Sequence, residues 1–173
     1  MANPRSRSAE THPWLTFRLD LQATSPRCWM LLGEIRSKIA HLRRVPLPPA
    51  IWQDLRVVSL VKGVQATTAI EGNTLTEEQV RKIYEKRLTL PPSREYLARE
   101  VENVLAAIDN VEANVQVDPD MPITREEMMS MNGMILDGLE LEDVVPGETR
   151  KGDVVVADYV GPAAGECDEL LDR

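Results

Sequence analysis

The stretch SREYLAREVENVLAAIDNV, residues 93–111, carries the most regular pattern in this 173-residue chain. Apolar residues recur along it every three or four positions, at Leu97, Val101, Val104, Leu105, Ile108 and Val111. This spacing places them on one face of an α-helix, because the helix has about 3.6 residues per turn. Ser93 stands just before the pattern and is the expected N-cap. The segment therefore predicts a long amphipathic helix that buries one face.

Segments on both sides of this stretch also have the pattern of helices. Thr76 and Thr124 each begin a capping box, in which a hydroxyl and the side chain three residues later satisfy backbone donors. Prolines at 46, 48 and 49 separate two of the helices, since consecutive prolines cannot continue a helix. Helices are expected over about 25–42 and 49–70, from Thr76 to near Arg87, and from Thr124 through Leu139. The fold is therefore expected to be mainly α, a multi-helix array.

Both ends of the chain have other patterns. Residues 1–13 are expected to be a disordered lead-in, and the apolar–polar alternation over 15–21 predicts a short strand or extended arm. Val154-Val155-Val156 and Tyr159-Val160 are β-branched or aromatic runs separated by Ala157-Asp158, which predicts one small β-hairpin. Residues 166–173 have the pattern of a further helix.

Composition excludes several classes of function. The chain has 20 Lys and Arg against 28 Asp and Glu, a formal net charge of −8, which argues against binding to nucleic acid or to a membrane surface. Aromatic residues make up 4%, too few for the stacking surfaces of single-strand binders. There is no signal-peptide pattern and no run of 18 uncharged apolar residues, so a cytoplasmic protein is expected.

Residue types that usually carry catalysis are sparse. The chain has two histidines, His12 and His41, for which a surface or structural role is expected, and two cysteines far apart, Cys28 and Cys167. No glycine-rich phosphate loop is present, and no spacing suits a metal site. No catalytic and no metal-ligating residue is therefore predicted from residue type.

Glu71 departs from a local rule. It falls in the last turn of the helix predicted over 49–70, where a carboxylate meets the negative end of the helix dipole at a cost of about 0.3–1 kcal/mol. Thr67 lies four residues earlier on the same face. Such a placement is more tolerable if a cation from elsewhere in the fold meets the carboxylate. An ordinary solvated glutamate is the alternative interpretation.

The motif Thr67-x-x-x-Glu71-Gly72 resembles the inhibitory motif [ST]-x-x-x-E-[GN] of Fic-family proteins. The stretch 46–49 and the helix after it are similar to the N-terminal region of such proteins. Residues 146–150, the valines at 154–156 and Gly161-Pro162 resemble the segment that enters the Fic core and forms its flap hairpin. The resemblance divides the chain into an N-terminal helical region with an inhibitory helix, 14–120, and the first part of a Fic core, 121–173.

The resemblance implies a protein adenylyltransferase, which transfers AMP from ATP to a hydroxyl of a target protein with the help of Mg²⁺. In family members with an internal inhibitory helix, the motif glutamate pairs with the last arginine of the catalytic loop and removes it from the γ-phosphate. By this resemblance Glu71 is the inhibitory carboxylate, Thr67 helps to hold the helix end, and Gly72 allows its tight termination. The target would add as a strand to the flap, with Val154, Val155 and Val156 as the candidate edge.

The catalytic loop of that family, H-x-F-x-[DE]-G-N-[GK]-R, is absent from these 173 residues. The stretch from His12 to Phe17 begins like it but lacks the acidic residue, the glycines and the arginine. Whether this polypeptide is an enzyme therefore stays open, and alone it is expected to be inactive and not to bind ATP tightly. It is either the front part of a longer adenylyltransferase or a truncated remnant, whose partner is the remaining Fic core or a second copy. The alternatives are a non-catalytic protein that restrains a Fic enzyme in trans, and a plain helical scaffold.

Overall fold

The computed structural model describes residues 11, 12, 15 and 20–172. The predicted lead-in over 1–13 and the predicted arm over 15–21 lie largely outside these residues. The helices are α1 (Pro26–Arg43), α2 (Pro49–Ile70), α3 (Glu77–Tyr84), α4 (Glu95–Val117), α5 (Arg125–Leu136) and α6 (Cys167–Leu171), and the strands are β1 (Val155–Val156) and β2 (Tyr159–Val160). The fold is mainly α with one small antiparallel sheet, as the sequence predicts.

Capping side chains start three of the helices where the sequence predicts them. The Ser25 side chain accepts a hydrogen bond from the Cys28 backbone N–H at 3.3 Å, and Pro26 occupies the first turn of α1. Thr76 and Thr124 both form complete capping boxes, with Gln79 and Glu127 as the reciprocal partners. Local sequence therefore determines these helix starts.

The predicted cap at Ser93 is wrong. Ser93 lies inside a 3₁₀ turn, Pro92–Arg94, and α4 begins at Glu95 without a side-chain cap. The prolines at 91 and 92 explain the difference, because they hold the chain extended and then start a tight turn of their own.

Two helices end earlier than predicted. Helix α3 ends at Tyr84 rather than near Arg87, and Lys86 follows it with a positive φ of 56°. Helix α5 ends at Leu136 rather than Leu139, and Gly138 then has a φ of 65°. A left-handed residue terminates an α-helix, so these turns stop both helices before the apolar pattern ends.

The core forms where α2, α3 and α4 meet. Val64, Val80 and Val101, one from each of these helices, have 0% of their surface exposed. The face of α4 that is buried here is the apolar face that the sequence predicts. The other members of the buried cluster are Leu60, Val61, Leu75, Ile83, Leu90, Leu97, Val104 and Leu105.

Helix α5 is attached to the outside of this core through α4. The Asn103 side chain of α4 donates hydrogen bonds to the carbonyls of Ile135 at 3.0 Å and Asp137 at 2.8 Å. These carbonyls belong to the last turn of α5, where backbone acceptors lack partners within the helix. The contact therefore satisfies the end of α5 and fixes it against α4.

Helix α1 has no buried residue. Its amphipathic pattern is similar in kind to that of α4, yet Leu32 is 50% and Ile35 is 52% exposed. The first turns of α2 also expose apolar side chains, with Trp52 at 57%. No helix in the described ranges is long and apolar enough to cross a membrane.

The hairpin pairs Val155 with Val160 and Val156 with Tyr159. Ala157, in the two-residue connection, has a positive φ of 52°, which suits the tight turns that join antiparallel strands. The Gly161 N–H donates to the Val154 carbonyl at 2.9 Å and extends the ladder by one bond. All four strand residues are exposed.

The position of the core predicts the effect of truncating two leucines. Leu97→Ala should lower the free energy of unfolding by about 2–5 kcal/mol, because it leaves a cavity in a packed site. Leu32→Ala, the matched change in α1, should alter it by less than about 0.5 kcal/mol, because that side chain is half exposed. Urea denaturation followed by circular dichroism measures both, and equal losses would contradict the assigned core.

Candidate functional site

The end of α2 carries the motif Thr67-x-x-x-Glu71-Gly72. Glu71 is the C-cap, and Gly72 follows with a φ of +96°. The Gly72 N–H donates to the Ala69 carbonyl at 3.1 Å, and the Asn73 N–H donates to the Thr68 carbonyl at 3.0 Å. These two bonds form a Schellman motif, in which a left-handed residue reverses the chain directly after the helix. Glycine suits this position because it adopts positive φ without strain.

The chain after the turn is held by a buried amide, Asn73, which is 6% exposed. Its Nδ2 donates to the Leu97 carbonyl and to Glu100 Oε2, both at 2.9 Å, while its Oδ1 accepts from the Leu75 N–H at 3.0 Å. Leu97 and Glu100 belong to α4, so these bonds connect the end of α2 to α4. Because each polar group of this buried amide has a partner, another path of the backbone after Gly72 would leave a buried polar group without a hydrogen bond.

The two adjacent threonines have different environments. Thr68 is 3% exposed, and its hydroxyl donates to the Val64 carbonyl at 3.1 Å. Thr67, the residue expected to hold the helix end, is exposed. In this structure the buried hydrogen bonds near the helix end are made by Thr68 and Asn73. Neither residue was predicted from the sequence, although Asn73 does stand next to a helix-ending glycine.

Glu71 itself is exposed, and Ile70 beside it is 83% exposed. Within the described part of the chain Glu71 forms no ion pair, and the last turn of α2 contains no basic residue. Its carboxylate therefore lies at the negative end of the helix dipole without a compensating charge. The structure presents a carboxylate and an apolar side chain together at the surface.

A second attachment holds α2 to α4 further from the motif. Arg56 of α2 pairs with Asp109 of α4 at 3.2 Å and also with Glu112. The hydrogen bond to Glu112 raises the pKa of Arg56 above its ordinary value. With Asn73 at one end and Arg56 toward the other, α2 cannot rotate about its axis without breaking polar contacts to α4.

The candidate target-binding edge lies on separate elements. Val154 is 43%, Val155 is 61% and Val156 is 65% exposed. A cavity of about 410 Å³ lies among α5, the segment 143–151 and α6, and another of about 350 Å³ adjoins the hairpin. Neither cavity is lined by Glu71, so the structure does not bring the motif carboxylate and the hairpin into one of these cavities.

Polar contacts tie the segment before the hairpin to α6. Arg125 of α5 pairs with Asp168 at 2.7 Å and with Asp172 at 3.3 Å. The Thr149 hydroxyl donates to the same Asp168 carboxylate at 2.8 Å.

No group of three or more His, Cys, Asp or Glu among the described residues could hold a metal ion.

Gly63 within α2 and Gly72 just after its C-cap provide a matched test of the turn. Gly72→Ala should lower the free energy of unfolding by about 1–2 kcal/mol, because a left-handed conformation is strained for any residue with a Cβ. Gly63→Ala should raise it by about 0.5–1 kcal/mol, because Gly63 is a mid-helix position with no heavy atom within 4 Å of an added Cβ. Chemical denaturation measures both, and the same sign for the two variants would contradict the assigned helix end.

Comparison with known proteins supports the fold. No family model matches the sequence. No curated protein matches it significantly. A crystal structure of a Fic family protein from Desulfovibrio desulfuricans G20 is similar to this chain with a TM-score of 0.63 and 23% sequence identity. The match covers 87% of this chain and 44% of that one, so the matched part of this chain spans less than half the length of the protein it resembles. The chain has a Fic-like fold.

Proposed function

We propose that this chain is the front part of a Fic-type protein adenylyltransferase whose activity Glu71 restrains. The observation that carries the proposal is the Glu71 carboxylate, which is exposed at the end of α2 and lacks an ion pair within the described residues. The Fic-like fold supports it. The reaction is transfer of AMP from ATP to a hydroxyl of a target protein in the cytoplasm, and the catalytic loop is supplied by residues outside this chain.

Glu71 acts through its charge. Its carboxylate pairs with an arginine of the catalytic loop, and carboxylate–guanidinium pairs are among the strong hydrogen-bonded contacts of proteins. An arginine held in this way no longer stabilises the phosphate charge of ATP, which is a large part of catalysis in phosphoryl and nucleotidyl transfer. Asn73 and Arg56 contribute by keeping α2 in one orientation against α4. Because no described cluster suits a metal ion, we assign Mg²⁺ no ligand among the residues that the structure describes.

The target docks at the hairpin in this proposal. Strand addition is a common way to recognise an extended segment, because backbone hydrogen bonds give affinity and side-chain contacts give specificity. Val154, Val155 and Val156 are exposed and stand on one short strand and the residue before it. An extended stretch of the target beside them would bring its hydroxyl toward the nucleotide.

A second candidate function is restraint in trans, in which this chain docks on a separate catalytic Fic protein. The observation that favours it is the uncovered apolar surface of α1 and the start of α2, which includes Trp29, Ile39 and Trp52. The exposed apolar side chains of α1 recur every three or four positions along the helix, and an exposed apolar stripe of this kind marks an interaction site. In this case Glu71 has the same role, and the arginine belongs to the partner.

Removing the Glu71 carboxylate should relieve the inhibition of AMP transfer. In the protein that contains the catalytic loop, or in a mixture with a catalytic partner, Glu71→Gly should raise AMP transfer from labelled ATP at least about tenfold, since an arginine on the phosphates contributes orders of magnitude to such rates. Glu71→Gln, which removes the charge and keeps the shape, should have a similar effect. Unchanged or lower transfer in both variants would show that Glu71 does not restrain the reaction.

The matched control is Glu77→Gln. Glu77 is an exposed glutamate in the first turn of α3, where its charge meets the favourable end of the helix dipole. This variant should leave AMP transfer unchanged. A rise equal to that of Glu71→Gln would indicate a general effect of net charge.

The 173 residues alone should not bind nucleotide tightly. Isothermal titration of the chain with ATP and Mg²⁺ should give no binding in the micromolar range, because the phosphate-binding loop of the family is absent from the sequence. A dissociation constant near 1 μM, which is a binding free energy of about −8 kcal/mol, would reveal a nucleotide site within this chain. It would contradict the proposal that residues outside this chain supply the nucleotide-binding loop.

A further inference from the structure

His12 connects the beginning of the described chain to the β-hairpin, 148 residues further along the sequence. Its Nε2 lies 2.6 Å from the carbonyl oxygen of Val160. Its ring contacts the ring of Tyr159 edge to face, with centroids 5.7 Å apart and an angle of 81° between the planes. His12 is 6% exposed, so the imidazole is enclosed at this contact rather than lying loosely on the surface.

The Val160 carbonyl lies on the outer edge of β2. In an antiparallel pair, residues alternate between positions that bond to the partner strand and positions whose N–H and C=O face outward. The bond from the Gly161 N–H to the Val154 carbonyl shows that position 161 bonds inward, so Val160 and its partner Val155 face outward. His12 therefore occupies a backbone acceptor that an added strand would need.

The Val160 carbonyl determines which nitrogen of the His12 ring carries a proton. A carbonyl oxygen only accepts, so Nε2 of His12 carries a proton. Nδ1 lies 2.7 Å from the Thr11 hydroxyl, and in a neutral ring it accepts from that hydroxyl. Thr11 thus orients the imidazole for its contact with the hairpin.

The two edges of the hairpin differ. His12 covers the outer edge of β2, whereas Val155 and Val156 of β1 are 61% and 65% exposed. We propose that this contact of His12, here called the clasp, covers the outer edge of β2, so that an extended target segment adds to the hairpin along β1, at the outward N–H and C=O of Val155. The contacts of His12 with Val160 and Tyr159 support the clasp directly. The choice of β1 as the docking edge rests on the proposed function.

Nuclear magnetic resonance tests the clasp directly. Long-range ¹⁵N–¹H spectra of the full chain at alkaline pH should show His12 as the Nε2–H tautomer, with nuclear Overhauser contacts to the Tyr159 ring. The Nδ1–H tautomer, or the absence of these contacts, would overturn the clasp.

Hydrogen exchange measures what the clasp does. His12→Ala should speed amide exchange over residues 154–161 about fivefold, because a two-stranded hairpin is marginal by itself and loses one hydrogen bond of about 1 kcal/mol. His12→Gln, whose amide can donate from a similar position, should restore much of the protection. His41→Ala, the matched change at an exposed position of α1, should leave exchange at the hairpin unchanged. Equal exchange in the wild type and His12→Ala would overturn the clasp.

The docking edge is tested with a capped Thr-Val-Thr-Val-Thr peptide as the probe. In the wild-type chain, titration should shift the amide signals of residues 154–156 and not that of Val160, and in His12→Ala the Val160 signal should shift as well. Val155→Pro should abolish the response, because proline lacks the outward N–H yet is tolerated at an edge position. Val160→Pro, the matched change on the covered edge, should leave it intact.

Shifts at Val160 in the wild-type chain, or no shift at residues 154–156, would overturn the assignment of β1 as the docking edge. Failure of this assignment is distinguishable from failure of the proposed function, because the Glu71 variants are measured by AMP transfer. Failure of the clasp is distinguishable from both, because its tautomer and exchange measurements involve no target and no nucleotide.

Discussion

The buried contact of Asn73 with α4 is the constraint on which the arrangement of this chain depends. The Schellman motif reverses the backbone after Glu71, but a turn of this kind by itself leaves the following residues free to move. The three hydrogen bonds of the Asn73 side chain remove that freedom. Because the amide is buried, leaving any of its polar groups without a partner would cost more than the bond contributes when it is made. The position of the Glu71 carboxylate follows from this arrangement.

The described part of the chain consists of a packed core and exposed surfaces that the core supports. Helices α2, α3 and α4 share one core, in which each contributes a fully buried valine. The three surfaces used in the proposals lie outside that core: the end of α2, the apolar side of α1 and the hairpin. Such a division is physically reasonable, because a rigid core holds the exposed groups at fixed positions while they stay accessible to a partner. The exposed apolar side chains of α1 make the chain prone to association, since uncovered apolar surface favours contact with other molecules.

The hairpin illustrates how a small sheet depends on distant residues. Two strands of two residues each offer few hydrogen bonds, and such a sheet is at best marginally stable alone. The His12 contact adds a hydrogen bond and an aromatic contact from a segment far away in sequence. It also makes the two edges unequal, because the contact occupies the outward carbonyl of Val160 on β2.

Features that arise from local interactions could be predicted from the amino-acid sequence. The helix starts at Ser25, Thr76 and Thr124, the break at Gly72 and the two-residue turn of the hairpin follow from caps, left-handed residues and spacing, which act within a few residues. The contacts that join distant segments could not be predicted in this way and are seen in the folded structure. Apolar spacing is similar in α1 and α4, yet only α4 is buried; Thr68 and Asn73 rather than Thr67 make the buried bonds; and His12 meets Val160. These outcomes depend on which surfaces exclude water together and which buried polar groups find partners, and neither is encoded in the spacing of one segment.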